Sequence, residues 1–384
     1  MRKLLAFFLF FINFSGFSQI NTLFVKPILT DPNYTAVQDS HMVIRNSSTQ
    51  LNKLFLFLGG TNSSTQSYQA ICTYAAQLGY DVINLSYINS IAAASLANNS
   101  DSLVFYKYRQ EVCYGTPISP DVSVDSLNSI FTRTLKLIQY LHATYPSQNW
   151  NQYLINSTTI NWSKVAVGGH SQGGGHACYL AKSHDVDRVL MFSSPNDYSN
   201  YYNHAANWLR TAGSTSINKH FAYLSVLDEV VSFDKQLHNL QGLGLYPFYD
   251  TTFTDNLNPP YNYSHCLYTK QTPGLAILYH NSTVKQSSIN QSVWNYMLTS
   301  ETSTGIENNI TQNRISIYPN PASSSIYIQS QEILIDKIYY VYTSTGQLLM
   351  SGRISNSNSI DISELKAGLY FIKLDGRIGK LIKQ

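Results

Sequence analysis

The 384-residue sequence is short of charge: only 12% of its residues are Asp, Glu, Lys or Arg, and the net charge is +3. A chain so sparse in cations has no basic field with which to hold a polyanion, so a nucleic-acid partner is not expected. Its four cysteines, Cys72, Cys113, Cys178 and Cys266, never stand in CxxC spacing. That excludes the usual zinc and dithiol-redox motifs, and no metal or cofactor is expected. In an oxidising compartment up to two disulfides are possible, with all three complete pairings open and Cys178 expected as a packed thiol on a buried helix face. Past the N-terminus no apolar run approaches the roughly eighteen residues of a spanning helix. Phosphate-binding glycine loops are missing too: no Lys follows the glycines at 173–175 as a Walker loop requires, and the dinucleotide fingerprint does not fit their register.

The N-terminus does carry an address. Arg2 and Lys3 precede an apolar run, Leu4 to Ile12, too short to cross a bilayer, and Gly16-Phe17-Ser18 supplies small residues for cleavage. Residues 1–18 read as a secretory signal peptide, with the mature chain beginning near Gln19. At the other end, residues 301–313 are polar and aperiodic, hence a linker. Residues 314–384 then alternate apolar and polar at period two, in short runs broken by Ser344-Thr345-Gly346 and Lys366-Ala367-Gly368. This pattern predicts a small all-β sandwich without catalytic residues. Its ordered motifs, Tyr318-Pro319-Asn320-Pro321, "VYTSTGQLL", "IDISELKAGLYFIKL" and a basic end, resemble the C-terminal sorting domain of the type IX secretion system of Gram-negative bacteria. The resemblance implies passage through the periplasm, a partner in the type IX secretion machinery, and a final location outside the cell or on its surface.

Residues 19–300 alternate helix and strand signals. "KLFLFLGG" (residues 53–60) is a continuous apolar run as in a strand buried on both faces, and a helical stretch over 66–78 is closed by Gly79. "YDVINLSY" is the next strand. An apolar stripe through Leu127, Ile130, Phe131, Leu135, Ile138 and Leu141 marks a long helix that Pro146 ends. "KVAVGG", "DRVLMFSS" and "HFAYLSVL" are further strands, giving a doubly wound α/β sheet. The segment 89–121, with Tyr106, Tyr108 and Tyr114, is a candidate pocket wall or lid, although plain surface packing explains it as well.

Ligand sites in such sheets lie at the carboxyl ends of the strands. Gly169-His170-Ser171-Gln172-Gly173 follows "KVAV" at such an end and opens a helix, the G-x-S-x-G pattern of a nucleophile elbow. Its glycines remove the Cβ atoms that would collide across so tight a turn. Serine needs a base and an oxyanion hole to act. The expected donors are the N–H groups of Gln172 and, from the loop after "LFLFLGG", of Thr61; that loop reads equally well as a plain glycine turn. Asp228 is the preferred acid, with Glu229 and Asp197 as alternates. His280 is the preferred base and His265 the alternate. His170 and His176 are expected to pack rather than react.

From residues 51 to 299 the chain resembles the α/β-hydrolase superfamily, carried by "VAVGGHSQGGGHACYLAK" with "FLGGT" before it and "MFSSPND" after it; it looks closest to a poorly characterised bacterial serine hydrolase group. The resemblance implies a Ser171, Asp228, His280 triad with oxyanion donors at Gln172 and Thr61. It departs at "LGGT", where many members have His-Gly or Pro-Gly. The function expected is a secreted carboxylic ester hydrolase working through an acyl-enzyme on a small or polymer-linked ester. The alternatives are a serine peptidase and an inactive scaffold that binds carbohydrate or protein at the cell surface.

Overall fold

The computed structural model describes residues 20–37, 39–246, 249–272, 278–301, 315–329, 334–354, 358–374 and 377–384. The expected signal peptide, the linker beyond Glu301 and most of the apolar run before His280 lie outside them.

A nine-stranded mixed sheet organises residues 20–300. Its strands are β1 (Ile20–Val25), β2 (His41–Asn46), β3 (Leu54–Leu58), β4 (Asp81–Leu85), β5 (Val165–His170), β6 (Arg188–Phe192), β7 (His220–Ser225), β8 (Thr251–Phe253) and β9 (Cys266–Thr269). In space they run β1-β2-β4-β3-β5-β6-β7-β9-β8. From β4 to β8 all neighbours are parallel, whereas β2 runs antiparallel to β4 and β1 antiparallel to β2. The sequence pattern predicts a doubly wound α/β sheet without this antiparallel pair at its edge. Residues 20–46 are too mixed in pattern to announce it.

Alternation in β3 shows how the sheet is covered. Leu54, Leu56 and Leu58 enter one apolar cluster and Phe55 and Phe57 the other, because successive side chains of a strand point to opposite faces. The first cluster is closed by helices α2 (Val104–Tyr114), α3 (Ile130–Thr144), α4 (Gln172–Ser183) and α5 (Phe233–Leu243), the second by α1 (Gln69–Gln77) and α6 (Ser288–Thr299). Ser129 and Ser287 cap α3 and α6, each hydroxyl accepting a first-turn N–H. The stretch 66–78 is a 3₁₀ turn (Thr65–Tyr68) leading into α1, and Gly79, at φ +99°, ends it.

Two sequence expectations change here. Inside segment 89–121 lies α2, whose Tyr108 and Arg109 are buried, so much of the presumed lid is core. The four cysteines are all buried free thiols, and no disulfide forms among the described residues.

The C-terminal region is separate and all-β. It comprises β10 (Ser316–Tyr318), β11 (Ser325–Gln329), β12 (Ile338–Thr343), β13 (Leu348–Arg353), β14 (Ser359–Asp361), β15 (Gly368–Leu374) and β16 (Arg377–Lys383). Two antiparallel sheets, β10-β11-β14 and β13-β12-β15-β16, enclose one core that includes Ile326, Ile328, Val341, Ile360, Ile372 and Leu381.

Candidate active site

Ser171 sits between β5 and α4 with φ 57° and ψ −128°, a region that costs a non-glycine residue of order 1–3 kcal/mol. The surrounding glycines show what makes the turn possible. A Cβ on Gly169 would stand 2.4 Å from the carbonyl carbon of Gly173, and one on Gly173 would stand 2.1 Å from the Leu58 carbonyl oxygen. Cβ atoms do not come that close to backbone atoms, so the elbow closes only with glycine at both places. Ser171 N–H donates to the Phe192 carbonyl on β6 (2.9 Å), which fixes the turn to the sheet.

Asp228 lies on the loop after β7 and His280 in a 3₁₀ turn (Tyr279–Val284). The His280 Nδ1–H donates to Asp228 Oδ2 at 2.7 Å. The same carboxylate accepts the N–H groups of Val230 (2.9 Å) and Val231 (3.0 Å) and the Gln236 amide (2.9 Å). Burial pushes the Asp228 pKa up, but the His280 hydrogen bond, the imidazole charge and the two loop N–H groups outweigh it and hold the carboxyl below its usual range. Asp228 is therefore an anion that orients the ring. The opposite nitrogen, His280 Nε2, is buried and has no hydrogen-bond partner among the described residues.

His170 secures the same loop. Its Nε2–H donates to the His280 carbonyl (2.9 Å), and its Nδ1 accepts from the Tyr68 hydroxyl (3.1 Å), which in turn accepts the Gly60 N–H (2.8 Å). Burial, helped by the nearby His280, pushes its pKa down to about 3, so the ring is neutral. The rings of His170 and His280 lie 4.8 Å apart, which brings His280 beside the chain neighbour of Ser171. No hydrogen bond joins Ser171 Oγ to His280 Nε2; Ser171 Oγ accepts instead from Asn196 Nδ2 at 3.3 Å. Both residues are shielded, Ser171 at 8% and His280 at 5% exposure. Beside Asp228 and His280 in sequence the exposed side chains are Leu227, Glu229, Val230, Leu278 and Tyr279, apolar except for Glu229.

Thr61 and Gln172 also meet. Thr61 Oγ1–H donates to Gln172 Oε1 at 2.9 Å, Tyr108 donates to the same oxygen at 3.1 Å, and Gln172 Nε2 donates to the Asn89 carbonyl at 3.0 Å. Gly60 and Ser171 pack closely, since a Cβ on Gly60 would lie 3.2 Å from that of Ser171. Gln172 is the first residue of α4, where an N–H has no acceptor within the helix. Among the described residues neither its N–H nor that of Thr61 finds a partner.

The alternates make other contacts. Asp197 forms a buried two-point pair with Arg109, Nε to Oδ2 at 3.0 Å and Nη2 to Oδ1 at 2.5 Å, and also accepts from Trp208. Arg109 Nη1 donates in turn to the Gln172 carbonyl at 2.6 Å, in space left by Gly175. Glu229 uses its carboxylate to accept the His280 backbone N–H at 3.2 Å. His265 is stacked between Phe221 and Tyr249, each ring 3.8 Å away, with Nδ1–H donating to the His220 carbonyl. Burial lowers its pKa to about 3. His176 is buried between Tyr87 and Tyr108, with Cys113 Sγ 3.6 Å from its Nδ1.

Comparison with known proteins bears on the other end of the chain. Residues 316–384 match the family model of the secretion system C-terminal sorting domain. They are that sorting domain. The sorting domain marks the chain as one sent by type IX secretion to the cell surface or beyond it. No curated protein matches the chain.

Three contributors escaped the sequence reading. Arg109 was hidden in the presumed lid, Asn196 stood unremarked beside Asp197, and Gln236 lies on a helix more than sixty residues from the elbow. Only Asn196 carried a signal, its place at the carboxyl end of a strand.

Proposed function

We propose that residues 20–300 form an α/β-hydrolase-type serine hydrolase that cleaves carboxylic esters outside the cell. The observation that carries the reading is the His280–Asp228 pair, its second nitrogen unpartnered, at the same sheet edge as a serine in a strained elbow. Ser171 Oγ attacks the ester carbonyl carbon while its proton passes to His280 Nε2. Asp228, an anion at neutral pH, stabilises the imidazolium. The N–H groups of Gln172 and Thr61 receive the oxyanion, each such donor being worth about 3 kcal/mol. His280 then protonates the departing alcohol, leaving an acyl group on Ser171. It next takes a proton from water, whose hydroxide attacks the acyl carbon; the bond from that carbon to Ser171 Oγ breaks, His280 returns the proton to Oγ, and the acid is released.

The Asn196 hydrogen bond on Ser171 favours a second reading, a binding module on an inactive scaffold. A fluorophosphonate probe decides between them. Labelling of the wild type but not of Ser171→Ala supports the hydrolase. If the wild type stays unlabelled and leaves short- and long-chain nitrophenyl esters intact, the binding module takes its place.

A further inference from the structure

We infer that Asn196 and Gln236 form a shared support that sets the direction of the Ser171 hydroxyl and couples it to the acid orienting His280. The inference rests on the hydrolase reading and adds two residues to its machinery. Asn196 follows β6 and is 2% exposed, while Gln236 on α5 is fully buried. Asn196 Nδ2–H donates to Ser171 Oγ at 3.3 Å, and its Oδ1 accepts from Gln236 Nε2 at 3.3 Å. The same Nε2 donates to Asp228 Oδ2 at 2.9 Å, the oxygen that accepts from His280 Nδ1. A continuous chain of hydrogen bonds thus runs from the nucleophile through two amides and the acid to the base. It meets His280 only at Nδ1, through Asp228, and so leaves Nε2 clear.

The direction of each bond gives the chain its use. A serine hydroxyl has one hydrogen and two acceptor sites. Because Asn196 can only donate through Nδ2, it occupies an acceptor site and leaves the Ser171 hydrogen free. His280 Nε2, on a ring 4.8 Å from that of the elbow residue His170, is buried and has no hydrogen-bond partner among the described residues, so it is open to accept that hydrogen. As the proton leaves, Asn196 Nδ2 faces an oxygen gaining negative charge, and a hydrogen bond to a charged acceptor is about twice as strong as a neutral one. Asn196 therefore touches the reacting oxygen, and Gln236 is a positioning residue that acts through Asn196 and Asp228. The orientation of the Asn196 amide is itself set by Gln236, whose Nε2 is a donor and so requires Oδ1 on that side.

The test measures fluorophosphonate labelling rates and pH–kcat/KM profiles on nitrophenyl acetate with the full chain. Asn196→Ala is expected to slow labelling by about 10²-fold, the cost of losing one preorganised donor, and Asn196→Asp, which offers only acceptors to Ser171, to slow it at least as much. Gln236→Glu sets a second carboxylate against Asp228; with more negative charge near His280, the acid limb of the profile should move to higher pH. A purely structural role would lower the amount of folded protein and leave folded Gln236→Met, which adds no charge, labelling at the wild-type rate. Circular dichroism on each variant excludes misfolded samples, and Gln236→Met, close in volume, replaces any Gln236→Glu sample that fails to fold, with slower labelling as its expected result. Wild-type labelling rates in folded Asn196→Ala overturn the inference while the hydrolase reading stands. If labelling of the wild type is absent or survives Ser171→Ala, the hydrolase reading itself falls, and the inference with it.

Discussion

The two parts of the chain are built on opposite terms. The sheet of residues 20–300 buries polar and charged groups beside its carboxyl edge: Arg109 against Asp197, His280 against Asp228, Asn196 against Gln236. The sorting domain encloses an apolar core of Ile, Leu and Val with a few aromatic edges. All ten histidines, four cysteines and four tryptophans precede residue 301. Buried polar networks are costly unless every member is paired, so a region that needs only to be folded and recognised has no reason to carry one. A region that moves protons, as proposed for residues 20–300, does.

This contrast can be broken from either side, and the largest effect expected is a double dissociation. Ser171→Ala should remove ester hydrolysis by about 10⁴-fold or more and leave export intact; deleting residues 316–384 should abolish appearance outside the cell, as cell fractionation would show. Loss of export in Ser171→Ala would mean that the two parts are not independent. Next in size, His280→Ala should cost about 10²–10⁴-fold in kcat/KM, whereas His265→Ala should lower the melting temperature and spare the rate, because its ring is packing between Phe221 and Tyr249. Equal losses of rate in both would remove the distinction between them.

Replacing Arg109 by Met leaves Asp197 buried and unpaired. A broken buried pair costs about 3–5 kcal/mol, to be read from urea unfolding followed by tryptophan fluorescence, which reports only the large sheet region. A change below about 1 kcal/mol would show that Asp197 finds another partner. The smallest effect per group is set by pH. Burial, first among the causes, depresses His41, His170 and His265 to about 3 and His220 to about 4. Unfolded imidazoles titrate near pH 6.5, so below that value the unfolded chain binds protons that the folded one refuses. Each such histidine removes about 1.4 kcal/mol per pH unit as the pH falls from about 6.5 toward its folded value. The lowered Asp228 pKa acts further down, its contribution being present above about 4 and lost as the pH falls through the folded value. Peptide-resolved hydrogen exchange at pH 7 and pH 5 should show protection falling across residues 20–300 and holding in the histidine-free sorting domain. A parallel fall in both would contradict the contrast.

Much of the frame was legible because it depends on local pattern. The run Leu54–Leu58 declares a strand covered on two faces, and the glycines at 169 and 173 declare a turn that tolerates no side chain. The antiparallel pair β1 and β2 was not legible, since pairing between strands that share no turn leaves no periodic mark. Segment 89–121 reads as a pocket wall, a lid or plain surface packing from its tyrosines and its place between a strand and a helix, and nothing local marks Arg109 within it as buried.

The sequence by itself determined the strand–turn–helix around Ser171, the identity of the sorting domain and a short set of acids and histidines. Choosing within that set took the tertiary structure. His280 and His265 are alike in sequence context, yet one imidazole meets a carboxylate at 2.7 Å and the other is stacked between two rings. Asp197 and Asp228 both follow strands of the sheet, yet Arg109 occupies the first and leaves the second to His280. The reason is physical: which buried group neutralises which depends on directions and distances between segments separated by fifty residues or more, and a chain records those only when it is folded.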